Sequence, residues 1–216
     1  PFAITSGNYW RRLTDNRNGN VCWYGHGDGA TRSMEVFHYH VGVGSAGVGI
    51  TTQVTDDTVQ DLRPTSDGVW VAFTKEPPYP APKRIMVHNL GTGVTQELNP
   101  SSNYSEFNCE LHESGKLMYL AYDDKDWDVW MADLRTNTRT QISDSGVDDW
   151  VWGLSHNTLV AWSETNRSGS DDIPGRQRLH LFDLATGTEA WVSGDMYNLR
   201  NPDFEGDLLV WAAAET

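Results

Sequence analysis

Residues 61–73 read D-L-R-P-T-S-D-G-V-W-V-A-F. They hold a polar turn, S-D-G at 66–68, followed at once by a strand that closes on V-A-F at 71–73. Glycine and aspartate supply the backbone freedom and local hydrogen bonds of a tight turn, and β-branched and aromatic residues suit a packed strand. The closing tripeptide recurs as V-C-W at 21–23, L-A-Y at 120–122, V-A-W at 160–162 and L-V-W at 209–211. Its aromatic positions are Trp23, Phe73, Tyr122, Trp162 and Trp211, spaced 50, 49, 40 and 49 residues apart. A turn precedes each of the other copies as well: N-R-N-G at 16–19, E-S-G at 113–115, S-H-N at 155–157 and F-E-G at 204–206.

The repeat extends beyond the tripeptide. After four of the copies comes a strand ending in a polar turn: V-F-H-Y-H-V-G (36–42), I-M-V-H-N-L-G-T-G (85–93), V-W-M-A-D-L-R-T-N (129–137) and L-H-L-F-D-L-A-T-G (179–187). A short polar strand follows each one: T-T-Q-V-T-D-D, V-T-Q-E-L-N-P, R-T-Q-I-S-D-S and E-A-W-V-S-G-D. No segment holds a 3.6-residue apolar period, so helices are expected to be few. Four short strands in 40 to 50 residues is the pattern of a β-propeller blade. One such sheet cannot bury both of its faces alone, whereas sheets stacked face to face can. The recurring aromatic is then expected to be the residue packed between neighbouring sheets.

These motifs resemble the TolB-like, or WD40-like PD40, propeller repeats, on D-L-R-P-T-S-D-G (61–68), F-D-L-A-T-G (182–187) and R-R-L-T-D (11–15). The resemblance runs over nearly the whole chain and speaks to fold, not activity. It implies a single propeller domain over 1–216 and an extracellular or periplasmic location. The expected fold class is all-β, with four complete four-stranded blades plus a partial fifth. The D-L-x-T-G strand appears four times where the other types appear five, so the chain is expected to be part of a larger propeller, or to be completed by another chain or by self-association. A five-bladed ring with a defective closing blade is the alternative.

Composition excludes some functions. The 216 residues carry a net charge of −14. That argues against nucleic-acid binding, which depends on cations that displace counterions from phosphates. No run of 18 apolar residues offers a membrane span. The opening P-F-A-I-T-S-G-N, with neither an initiator Met nor a basic n-region, reads as a mature or trimmed chain. Cys22 and Cys109 have no CxxC neighbour and read as small buried side chains, with a disulfide left open. There is no G-x-S-x-G elbow, H-E-x-x-H or P-loop.

Three groups of residues could carry chemistry. His38 and His40 in E-V-F-H-Y-H-V-G (35–42) lie two apart on a strand and share a face, and with Glu35 they offer a zinc or manganese ligand set. Against that, His40 aligns with the turn residues Asn89, Asp133 and Asp183, and His38 with the packing residues Val87, Met131 and Leu181. Oligogalacturonate-type lyases, which the chain resembles in fold, hold a metal by histidines near the axis, whereas this pair sits on a third strand. Next, Asp124, Asp126 and Asp128 in D-D-K-D-W-D (123–128) have D-x-D-x-D spacing, which can wrap calcium but reads equally as a solvated hairpin turn. Finally, Trp150 and Trp152, with Tyr9 and Trp10, could stack on sugar rings or clamp a peptide. Two sequons, at Asn103 and Asn166, complete the set.

The expectation is a non-catalytic binding or scaffold propeller that holds a protein or a carbohydrate, with no cofactor required and a divalent metal as the open option. The alternatives are a polysaccharide lyase, metal-dependent or not, and structural blades of a larger assembly.

Overall fold

The fold was taken from a computed structural model, which describes residues 11–17, 19–26, 33–42, 49–144, 146, 148–154, 159–165, 176–183, 186–192, 196–205 and 208–214. Among them every regular element is a β-strand. The first sheet has the order β1 (Arg11–Arg17), β2 (Asn20–His26), β3 (Met34–His40) and β4 (Ile50–Gln53). The second runs β5 (Gln60–Ser66), β6 (Trp70–Glu76), β7 (Arg84–Asn89) and β8 (Thr95–Glu97). The third holds β9 (Glu106–Leu111), β10 (Lys116–Tyr122), β11 (Trp127–Asp133) and β12 (Thr138–Gln141), ordered β12-β11-β10-β9. The last is six-stranded, from β13 (Asp148–Leu154), β14 (Leu159–Thr165), β15 (Arg176–Asp183), β16 (Thr188–Trp191), β17 (Met196–Glu205) and β18 (Leu208–Ala214). Its β17–β18 hairpin joins β15 through two residue pairs, Arg176–Tyr197 and Gln177–Met196. No described helix is long and apolar enough to cross a membrane.

The chain divides into two compact units, Pro1–Ser114 and Gly115–Thr216. Within the first, β5 packs across β1, β2 and β3, and β9 packs across β5, β6 and β7. Within the second, β13 packs on β10 and β11, and β17 on β13. In both units, then, the first strand of one sheet lies over the preceding sheet. The core between the first two sheets is Cys22 and Val36 against Val71 and Phe73, filled in by Val54, Met86 and Leu90. Full burial of a ring such as Phe73 contributes roughly 1.5–3 kcal/mol. Both cysteines are buried free thiols, and burial, with the Glu110 charge second, pushes the Cys109 thiol far up.

Turn chemistry follows the sequence. Asp67 Oδ1 accepts from the backbone N–H groups of Val69 and Trp70 at 2.8 and 2.7 Å, and Gly68 takes φ +88°. Asn89, Asp133 and Asp183 each accept backbone N–H bonds from the turns that follow them. The first strands carry bulges, between Leu13 and Asp15 in β1, Leu62 and Thr65 in β5, and Val151 and Gly153 in β13.

Strand register corrects one equivalence. Trp23 pairs with Phe37, Phe73 with Met86 and Trp162 with His180, each partner three residues before its strand's terminal turn residue. The residue that pairs at that position in the third sheet is Tyr119, opposite Trp130, whereas Tyr122 pairs with Trp127 at the strand end. The repeat in β10 is therefore L-M-Y at 117–119, not L-A-Y at 120–122. Tyr119 is 1% exposed and Tyr122 only half-buried. Trp211 departs from the pattern: it lies on β18, at the edge of its sheet, and is 38% exposed.

Truncating the buried ring should cost more than truncating its neighbour. Tyr119→Ala is expected to destabilise by about 3–5 kcal/mol and Tyr122→Ala by about 1–2 kcal/mol in urea unfolding. Equal losses would return Tyr122 to the seam.

Candidate functional site

The histidine pair sits in a packed interior. His38 is buried, and its Nε2 lies 3.0 Å from Asn20 Oδ1, an arrangement in which the neutral ring donates to the amide oxygen. Burial, then the charges of His40 and His88, bring its pKa down to about 4. The His38 and His40 rings meet edge to face, centroids 6.4 Å apart. His88, from β7, also shifts down through burial, and its Nδ1 lies 2.8 Å from Thr95 Oγ1. Glu35 is three residues from His38, so strand alternation places it on the other side of β3 from the two rings. Its carboxylate accepts from Ser33 Oγ at 2.7 Å, Thr55 Oγ1 at 2.8 Å and the Asp57 N–H at 3.4 Å. The ladder thus brings His38 and His40 together and separates Glu35 from them.

Around Glu35 lies a charged set from the second sheet. Lys75 bonds Asp57 and lies 3.6 Å from Asp61 Oδ1. Asp61 is wholly buried, and burial pushes its carboxyl up to about 7 even though Lys75 opposes the shift. Burial also works against the Asp57 charge, but hydrogen bonds from Lys75 and the Val59 N–H hold its carboxyl below the ordinary value. Met34 N–H donates to Gln60 Oε1 and Val36 N–H to Thr55 Oγ1, closing the connection between β4 and β5.

The acidic run 123–128 closes differently from its sequence spacing. The carboxylates that converge are Asp123, Asp126 and Asp128, each with an oxygen within 4.8 Å of the others'. Asp124 is exposed and lies outside this group, in the left-handed region at φ +83°. Asp123 Oδ1 accepts the Lys125 and Asp126 N–H groups at 3.0 and 3.3 Å, which hold its carboxyl down against a modest burial effect. Burial, then Asp126, Asp123 and Asp144, push Asp128 up to about 7. Burial, then Asp123 and Asp148, raise Asp126. Asp148, at the start of β13, accepts the Trp127 N–H at 3.3 Å.

Two residues that spacing alone did not mark are Arg63 and Asn108. Both adopt positive φ, +53° and +56°, and the Arg63 guanidinium donates to Asn108 Oδ1 at 2.9 Å. Arg63 falls inside the β5 bulge, and proline after it in sequence was the available signal. Of the aromatic candidates, Trp150 lies on β13 opposite Ser163, and Trp152 falls in the bulge between Val151 and Gly153. Tyr9, Trp10, Asn166 and the G-S-D-D-I-P-G loop lie outside the described residues. Asn103 is exposed.

Neither protein-family models nor curated proteins match this sequence. Solved structures do. The chain is similar to TolB from Acinetobacter baumannii, with a TM-score of 0.55, 14% identity, and coverage of 83% of this chain and 42% of that one. It is similar to the β-propeller domain of the Trilobed protease from Pyrococcus furiosus, which has an open velcro topology, at TM-score 0.57 and 13% identity over 89% of this chain and 60% of that one. It is also similar to an oligogalacturonate lyase in complex with manganese, at TM-score 0.58 and 13% identity over 88% of this chain and 55% of that one. These likenesses give the fold, an all-β arrangement of antiparallel sheets of β-propeller type. The chain spans between 42% and 60% of the length of these structures.

The first unit carries two opposed pH dependences. The depressed His38 stabilises the fold above about pH 6.5, and that contribution is lost as pH falls through about 4. The raised Asp61 acts in the reverse sense: its contribution is full below about pH 3.8 and is lost as pH rises through about 7. Relative to the parent chain, Asp61→Asn should therefore shift the slope of melting temperature against pH upward across this window, and His38→Leu should shift it downward. Parallel slopes in the two variants, measured by circular dichroism, would refute the assignment.

Proposed function

We propose that residues 1–216 act as one TolB-like propeller domain of the PD40 type, with four four-stranded blades and a partial fifth, that binds a protein or a glycan and catalyses no reaction on it. One observation carries this reading. In the first unit the groups able to do acid–base or ligand chemistry, Glu35, His38 and Asp61, are buried between sheets and engaged by Ser33, Thr55, Asn20 and Lys75. A carboxylate or imidazole that is buried and engaged from within the protein does not meet a substrate from solvent.

The face offered to a partner would come from the loops and from exposed rings. Trp191 is half-exposed with the Arg178 guanidinium 5.0 Å above its ring, the kind of flat aromatic surface that takes a sugar or a peptide. An extracellular or periplasmic location fits the same reading, by analogy of fold with TolB. The lyase alternative rests on fold likeness alone, and the purely structural alternative predicts an assembly without a soluble ligand.

Glycan-array binding and crosslinking pull-down on the full chain test the proposal. A saturable glycan or a reproducible protein partner is expected, with no ultraviolet absorbance developing on uronic-acid polymers. Growth of the absorbance of unsaturated uronic products would replace the binding reading with the lyase one, and an empty result in both binding screens would overturn it.

A further inference from the structure

The first and third sheets solve the same electrostatic problem in two ways. Aligned on their turn residues His40 and Asp133, Glu35 and Asp128 occupy one position of the third strand. The surroundings correspond as well. Val36 N–H donates to Thr55 Oγ1 and Val129 N–H to Ser143 Oγ, both at 2.9 Å. Met34 N–H donates to Gln60 Oε1, and Trp127 N–H to Asp148 Oδ1. Ser33, which gives its hydroxyl proton to Glu35, corresponds to Asp126, and Gln60 to Asp148. Lys75, paired with Asp61 across β5 and β6, has Glu164 at its register position, opposite Asp149.

At the Glu35 site, the Ser33 and Thr55 hydroxyls and the Asp57 N–H satisfy the Glu35 carboxylate, and Lys75 lies against the neighbouring Asp57 and Asp61. At the Asp128 site an acid, Asp126, takes the sequence position of the donor Ser33, and an acidic residue, Glu164, the register position of Lys75. Asp128 is 0% exposed and Asp126 6% exposed. Asp128 Oδ2 accepts Gln141 Nε2 at 2.9 Å, but Asp128 Oδ1 and Asp126 Oδ2 are buried with no hydrogen-bond partner among the described residues. The cation in the turn itself, Lys125, is exposed. Asp144, a further acid whose charge acts on Asp128, is exposed as well. An unpaired carboxylate oxygen in the interior destabilises the fold unless a cation or a proton meets it.

We propose that Asp123, Asp126 and Asp128, with Asp148 beside them, form a binding site for a hard divalent cation of the calcium class. Carboxylate oxygens alone suit a hard ion over a soft one. Oxygens lying within 4.8 Å of one another fit a single ion whose ligands stand about 2.4 Å from it, since opposed ligands are then about 4.8 Å apart. Magnesium, with ligands at about 2.1 Å in a strict octahedron, fits such a spread less well. The ion would stand where Lys75 stands in the first unit, tying the β10–β11 turn to the start of β13.

Terbium is a direct probe, because Trp127 and Tyr122, rings 5.2 Å apart, flank the turn and can sensitise its luminescence. The full chain, stripped with chelator, should show saturable terbium luminescence under tryptophan excitation. Calcium should compete it away more effectively than magnesium, and calcium should also raise the melting temperature. Asp128→Asn and, in the half-buried turn, Asp123→Asn should each weaken terbium binding by about tenfold or more. Glu35→Gln, in the corresponding site that has its own donors, should leave it unchanged. Far-ultraviolet circular dichroism identifies any variant that fails to fold, and the more exposed Asp123→Asn then decides. No saturable binding, equal binding by the folded aspartate variants, or preference for magnesium overturns the proposal. A calcium-indifferent protein that Asp128→Asn stabilises at neutral pH also overturns it, since a bound proton would then be satisfying the cluster.

Discussion

The structure depends on the seating of one sheet's apolar face on the next. Phe73 and Val71 rest on Cys22 and Val36, and β5 and β9 each lie across the sheet before them. A four-stranded sheet alone leaves two faces wet, and a few rings per sheet cannot offset the conformational entropy of ordering it. Stacking uses both faces. The demand for an apolar centre and polar turns in every sheet then fixes the repeat, and with it the tight spacing of strands and the scarcity of helix.

That constraint pushes charge to the strand ends. Near the start of β3 and of β11 a carboxylate is buried, Glu35 in one and Asp128 in the other. Around Glu35 the chain provides hydroxyls, an amide and Lys75, and around Asp128 it provides more acid. A repeat fold allows this divergence, because each copy of a position answers to its own neighbours.

Much of the fold was readable from the sequence, for a physical reason: apolar triplets and turn residues are local, and the strands they specify pair with sequence neighbours. The reading slipped where local pattern offers two equal choices. Residues 117–122 run L-M-Y-L-A-Y, two triplets in succession, and only the ladder to Trp130 and Trp127 distinguishes Tyr119 from Tyr122. The acidic group slipped for a related reason. A spacing of two presumes an extended strand, but residues 123–126 form a turn whose Asp123 N–H reaches the Asp126 carbonyl, so the converging set begins one residue earlier. Glu35 is close to the histidines in sequence, whereas strand alternation puts it on the opposite side of β3. Asp148 could not have been named, because it acts on a residue of another sheet, and Lys75 meets its partners only through the β5–β6 register and the chain that leads into β5.

The two unoxidised cysteines make the protein its own meter of breathing. Cys22 lies in the seam between the first two sheets, and Cys109 is buried on β9. A thiol reagent can reach either sulfur only while the covering layer has lifted away. The rate of alkylation at each would therefore read out, position by position, how often the stack opens, with no foreign label introduced.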